Sequence, residues 1–228
     1  MEETIHQIYG VFNDGRPLSD IPVFSHHTKL TKEYCEKNNI HYKMWDNDMC
    51  EELISKYPEY RKLYDEFRHP IQKADFIRYL VLYDEGGIYI DCDIHPIGDV
   101  SYLFEMDEFF VKWNNEKNDL PYNAVLGTKS KNPLYEDIFK EIIVSVYSRE
   151  KSETFKKWVC RYVFQTTGHH MLKRVLKHYK DAKLLDILKI KKYGGEVISC
   201  VCPVFEDDNA SMWWNRNGND KHKRGIIK

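Results

Sequence analysis

What the 228 residues lack narrows the field first. No run of about 18 apolar residues occurs, so no stretch of the chain reads as a membrane-crossing helix. The amino terminus from Met1 to Phe12 has neither a basic start nor a sustained apolar region, and does not read as a secretion signal. Neither sign of charge dominates: 34 Lys and Arg stand against 36 Asp and Glu, a formal net charge of −2. That balance argues against a dedicated nucleic-acid binder, which carries a basic excess. The basic stretch Lys221 to Lys228 reads as a solvated terminus. Repeats and low-complexity segments are absent. Cysteines are few and scattered (Cys35, Cys50, Cys92, Cys160, Cys200 and Cys202), so they form no disulfide framework and are expected reduced and intracellular. Cys200-Val201-Cys202 has no matching C-x-x-C or His partner for a zinc site. The expected location is cytoplasmic, with a peripheral membrane association left open.

Apolar residues suffice for a core, and the length fits one domain over 1–228. Thr4 to Val11 reads as a strand ending at Asn13-Asp14-Gly15. A helix over Thr31 to Asn38 and a strand over His41 to Trp45 follow, giving a strand–helix–strand unit. Asp48 to Phe67 is helical in character and interrupted at Pro58. Gln72 to Tyr83 is the clearest helix, with Ala74, Ile77 and Val81 on one stripe and Gly86-Gly87 as its stop. Strands are expected at Ile88 to Asp91, Glu108 to Trp113, Ala124 to Gly127 and Val197 to Phe205. Helices are expected from Asn132-Pro133 to Tyr147, with Asn as cap, and from His169 to Tyr179. The class is α/β.

Asp91-Cys92-Asp93 closes the buried-looking run Ile88-Tyr89-Ile90, at the strand end where α/β sheets bind ligands. In extended backbone the two carboxylates share a side, with Cα atoms roughly 6–7 Å apart. They can converge on one Mg²⁺ or Mn²⁺, whose other positions go to water and phosphate. An isolated pair of this kind also fits a solvated strand end. Asp75 and Arg78 share a helix face away from the apolar stripe. They suit either a surface ion pair worth under ~1 kcal/mol or recognition of a diphosphate and sugar.

Lys73-Ala74-Asp75-x-x-Arg78-Tyr79, Tyr83 and Gly86-Gly87-Ile88-Tyr89-x-Asp91-x-Asp93 together span 21 residues. This set resembles the signature of the sugar-binding D-x-D glycosyltransferases, which include glycosyltransferase family 32 and the yeast initiating mannosyltransferases. The spacing is also similar to the glucosyltransferase domain of large clostridial toxins. Ile5-His6-Gln7-Ile8-Tyr9 resembles the family's opening strand, with Tyr9 where Trp is usual. The resemblance implies a GT-A type fold with a central mixed, mostly parallel sheet and flanking helices. The nucleotide-binding half would cover about 1–100 and the acceptor-side half about 101–228. The implied reaction moves a sugar from a nucleoside diphosphate to an acceptor hydroxyl with retention, using Mn²⁺ or Mg²⁺. UDP is the first base expected and GDP the next; a glycan, glycolipid or protein could be the acceptor.

The resemblance also assigns roles. Asp93 would bind the metal directly. Asp91 would hold ribose and metal-bound water, and Arg78 and Trp213 would neutralise the diphosphate. Asp75 and Asn123 would lie near the donor sugar, and Tyr89 and Tyr9 would line the donor site. Asp208-x-x-Ser211-x-Trp213 resembles the toxin pattern that completes the metal site, so Asp208 and Ser211 are candidate ligands. Asp207, Asn209 and Trp214 allow a shift of one residue, and His222 is the alternative. Thr166-Thr167-Gly168-His169-His170 resembles a T-G-P segment near the acceptor, with His169 in place of Pro. Two other functions compete. A phosphotransferase of the haloacid dehalogenase type needs Asp-x-Asp-Gly-Thr and a later acidic pair, but Ile94-His95 follows Asp93. An inactive sugar-nucleotide-binding module is opposed by the intact set Asp75, Arg78, Asp91 and Asp93.

Overall fold

Thr4–Ile8 forms β1 and His41–Trp45 forms β2, joined through helix α1 (Pro22–Asn38). The two strands pair in parallel, as expected of a strand–helix–strand unit. This computed structural model describes residues 3–11, 15–113, 120–149, 159–191, 197–198 and 203–207. Helix α1 starts well before Thr31, because Pro22 takes the first helical position, where a fixed φ and a missing N–H do no harm. It stops at Asn39, whose φ of 55° is left-handed and whose N–H bonds Cys35 O.

Helices α2 (Asn47–Ser55) and α3 (Pro58–Glu66) divide at Pro58. Helix α4 (Pro70–Glu85) is buried on nearly every side, so its apolar stripe is wider than Ala74, Ile77 and Val81. Gly86 and Gly87, with φ of 77° and 90°, turn the chain into β3 (Gly87–Ile90). A Cβ on Gly87 would lie 2.5 Å from Thr4 O, so glycine there lets β3 lie against β1.

Next come β4 (Ile94–Pro96), α5 (Ser101–Phe104), β5 (Glu108–Trp113) and β6 (Leu120–Thr128). Helix α6 (Pro133–Arg149) opens as expected, with Leu134 N donating to Asn132 Oδ1 at 2.9 Å. Helices α7 (Val159–Thr166) and α8 (His169–Leu176) lead to β7 (Lys183–Leu185) and β8 (Leu188–Lys191). The strand expected over Val197 to Phe205 is instead two, β9 (Val197–Ile198) and β10 (Phe205–Asp207), which both pair with β8.

The central sheet runs β2-β1-β3-β6-β5-β7, and a second sheet runs β4-β10-β8-β9. In the central sheet three of five pairings are parallel, and β6 is antiparallel to both its neighbours. Side-chain alternation splits the core across that sheet. Ile8, Tyr89, Phe110 and Leu126 pack with α2, α3, α4, α6 and α8 on one face. Ile5, Ile88, Ile90, Phe109 and Val125 pack with α1, α5 and the second sheet on the other. The expected α/β class and mixed sheet with flanking helices are both present. Cys35, Cys50, Cys92 and Cys160 are free thiols, while Cys200 and Cys202 lie outside the described residues. Among the described residues no helix is long and apolar enough to cross a membrane.

Candidate active site

The parallel strands β2, β1 and β3 end at one edge of the sheet, from which Tyr9 and Asp91 emerge. Asp91-Cys92-Asp93 does not continue the strand, as the extended spacing had implied. The Ile94 N–H bonds Asp91 O at 3.0 Å, closing a turn between β3 and β4. Cys92 explains the bend. Its side chain is buried and donates to Ile8 O at 3.3 Å, so the residue between the carboxylates points inward. Asp91 and Asp93 are left half-buried on the turn.

Arg78 organises the surroundings of Asp91. Its Nη1 donates to Asp91 Oδ1 at 3.0 Å and to Asn123 O at 2.7 Å. Its Nη2 meets Asp75 Oδ1 at 3.0 Å, and its guanidinium carbon lies 4.9 Å from the centre of the Tyr89 ring. The Tyr89 hydroxyl donates to the same Asp91 oxygen at 2.6 Å. Asp75 also accepts from Asn123 Nδ2 at 2.9 Å and from Thr167 Oγ1 at 2.7 Å. Asp75 and Arg78 are thus a buried pair, and the reading of a surface ion pair is overturned: each side chain is 5% exposed. The reason is α4 itself, which the sheet and other helices enclose.

Burial sets the protonation tendencies. It raises the Asp75 carboxyl above its ordinary value, against the pull of Arg78 and Thr167. Asp91 is raised for the same reason, opposed by Arg78 and the Tyr89 hydroxyl. For Arg78 burial opposes the charge, but Asp91, Tyr89 and Asp75 outweigh it and the guanidinium stays protonated.

Two residues join from β6 and β10. Asp207, the last residue of β10, is buried and sits opposite Ile94 in the ladder. Tyr122 on β6 hydrogen-bonds Asp207. Its hydroxyl is held far above its usual range by burial, then by the charges of Asp207, Asp93 and Asp91. The cluster therefore sets one guanidinium among four carboxylates, all oxygen donors suited to a hard divalent cation. Among the described residues no three His, Cys, Asp or Glu side chains close into a ready cage. An open pair of carboxylates fits Mg²⁺ or Mn²⁺ that arrives with phosphate oxygens.

Of the residues named from sequence, Asp75, Arg78, Tyr89, Asp91 and Asn123 form one bonded network, and Asp93 sits beside it on the turn. Tyr9 stands at the same sheet edge, but its hydroxyl donates to Arg16 O at 2.8 Å and its ring meets Phe24 edge-on. Asp208, Ser211, Trp213 and the alternatives Asn209, Trp214 and His222 lie outside the described residues. His169 packs on Phe164 and is half-buried, and the loss of solvent around its ring lowers its pKa to about 3. Thr167 and Tyr122 had no assigned role; the only signal for Thr167 was its place in the T-G-P-like segment.

Residues 24–110 match the family described as "Glycosyltransferase sugar-binding region containing DXD motif". An uncharacterized glycosyltransferase of Acanthamoeba polyphaga mimivirus is 33% identical over 117 residues, covering 49% of this chain and 47% of that protein. A mannosyl phosphorylinositol ceramide synthase of Saccharomyces cerevisiae is 27% identical over 183 residues, 77% of this chain and 42% of that protein. A solved glycosyltransferase involved in the glycosylation of the major capsid of PBCV-1 is 11% identical with a TM-score of 0.49, over 98% of this chain and 99% of that chain. The chain spans less than half the length of the two sequence relatives named. The matched segment runs from α1 into β5 and contains Asp75, Arg78, Tyr89 and the D-x-D turn, so the bonded network lies within the part of the chain that is similar to the DXD sugar-binding region.

Proposed function

We propose that this chain is a GT-A type, metal-dependent glycosyltransferase that moves a sugar from a nucleoside-diphosphate sugar to an acceptor hydroxyl. One observation carries the reading. A buried relay, Asp75–Arg78–Asp91, ends on the D-x-D turn and is braced by Tyr89, Asn123 and Thr167. Mannose is the sugar we favour, because the yeast relative is named a mannosyl phosphorylinositol ceramide synthase. That moves a GDP-sugar ahead of a UDP-sugar, whose support rested on the pattern at 208–213. An inositol-phosphate glycolipid is the acceptor class that the same relative suggests.

Breaking the glycosidic bond places negative charge on the leaving diphosphate, and a bound divalent cation supplies positive charge there. Asp93 offers its carboxylate to that cation, and Asp91 offers the oxygen not taken by Arg78 and Tyr89. Arg78 has most of its donors committed to protein, so it orients Asp91 and adds a fixed positive field. Asp75 already accepts three hydrogen bonds, which leaves it about one lone-pair position for a sugar hydroxyl. No enzyme nucleophile is assigned, and a front-face displacement with retention needs none.

The test is a thermal-shift panel of GDP, UDP, GDP-mannose and UDP-glucose, each with and without Mn²⁺. We expect stabilisation by one nucleotide family only with metal, and sugar-nucleotide hydrolysis that drops at least about 100-fold in Asp93→Ala. Hydrolysis of simple phosphomonoesters without use of sugar nucleotides would refute the reading.

A further inference from the structure

Gln7 is a polar residue at a core position. It lies on the face of β1 shared with Ile5, among Ile88, Ile90 and Ile94, and is fully buried. Its amide nitrogen has two hydrogens and faces two carbonyls: Asp91 O at 3.1 Å and Ile94 O at 3.4 Å. Those carbonyls are the first and last residues of the hydrogen-bonded D-x-D turn. Its amide oxygen accepts from the Tyr42 hydroxyl on β2 at 3.0 Å, which fixes which end of the amide meets the turn. Thr31 Oγ1 on α1 also reaches Ile94 O, at 3.4 Å.

We propose that Gln7 is the positioning residue of the D-x-D turn: its amide clasps both ends of the turn and fixes the spacing of the Asp91 and Asp93 carboxylates before a cation arrives. This rests on the metal-dependent reading above. Glutamate cannot replace it, since a carboxylate would face two carbonyl oxygens. An aliphatic side chain of the same length leaves each carbonyl with its other partner, the Ile94 N–H for Asp91 O and the Thr31 hydroxyl for Ile94 O. The fold then survives while the turn loosens.

The experiment compares Gln7→Met and Tyr42→Phe with the unaltered protein. Three quantities are read: amide hydrogen exchange at Ile94, the Mn²⁺ concentration for half-maximal sugar-nucleotide hydrolysis, and kcat at saturating Mn²⁺. We expect faster exchange at Ile94 than at α4 amides and a Mn²⁺ midpoint raised about 10-fold in Gln7→Met. Tyr42→Phe should shift the midpoint in the same direction by less, and kcat at saturating Mn²⁺ should change by less than about 3-fold. Unchanged exchange and an unchanged midpoint overturn the proposal. So does exchange that quickens everywhere in proportion to a lower Tm, since that marks global destabilisation. If the unaltered protein ignores Mn²⁺ but Ile94 still loosens in Gln7→Met, the clasp stands and the metal-dependent function falls. Should Gln7→Met not fold, Tyr42→Phe carries the same readouts with Gln7 in place.

Discussion

Replacing Arg78 with methionine tests the central claim that α4 holds a buried charge relay. Methionine keeps an unbranched side chain of similar reach but removes the charge. Two carboxylates then lose their cation, and Asp75 stays at 5% exposure. Breaking a buried pair in this way costs about 3–5 kcal/mol, against less than ~1 kcal/mol for a surface pair. For a chain of this size that is a Tm loss of roughly 6–20 °C. The pH dependence separates this from simple mispacking. Burial already raises the folded-state pKa of Asp75, so its ionisation counts against folding at neutral pH. Without Arg78 the pKa rises further. Stability linked to the protonated form is present below the unfolded carboxylate value and is lost as pH rises through the folded value. The deficit of Arg78→Met relative to the unaltered protein should therefore be largest near pH 7.5 and shrink toward pH 5. The pH dependence contributed by His6 is common to both proteins and cancels. Urea unfolding of both at pH 7.5, 6 and 5 measures the gap. A deficit below about 1 kcal/mol, or one that stays constant with pH, would refute the relay.

Gly87→Ala should destabilise by more than about 2 kcal/mol, because φ of 90° is strained for alanine and its Cβ would meet Thr4 O at 2.5 Å; chemical unfolding checks this, and a near-neutral result would mean that β1 and β3 can part. His6 accepts from Trp45 Nε1 and bonds Gly86 O, and burial lowers its pKa to about 3. A depressed histidine supports stability above the unfolded value near 6.5 and loses it as pH falls. His6→Gln should accordingly narrow the stability drop between pH 7 and pH 5 by up to about 2 kcal/mol, read from urea midpoints.

The polar cluster was more legible in the sequence than the boundaries of the elements around it. Asp75, Arg78, Tyr89, Asp91 and Asn123 were named as separate positions and prove to share one hydrogen-bond network. Side chains that meet a charged ligand or each other must be specific types at fixed spacing, and that leaves a dense linear pattern. Periodicity located α4, α6 and most strands for a similar reason: each buries a face, and burial repeats with the element. Periodicity could not place the start of α1, where Pro22 rather than an apolar repeat sets the boundary. Nor could it see that 197–207 holds two strands, because pairing with β8 and β4 is a long-range choice.

The bend at Asp91-Cys92-Asp93 shows where local reasoning fails. Side-chain alternation treats the motif as strand, and nothing within those three residues contradicts it. The turn is imposed from outside, by Ile8 O receiving the Cys92 thiol and by Gln7 bonding the carbonyls at its two ends. Both partners lie more than eighty positions earlier in the chain, on β1. What marks Gln7 in the sequence is a violation of hydrophobic alternation, an amide where the strand face calls for an isoleucine or valine. Asp75 and Arg78 break α4 in the same way. In a core with this many apolar neighbours, an uncompensated polar group costs a few kcal/mol, so each such residue implies a partner. The polar residues that disturb otherwise regular elements therefore point to the site as directly as the D-x-D itself.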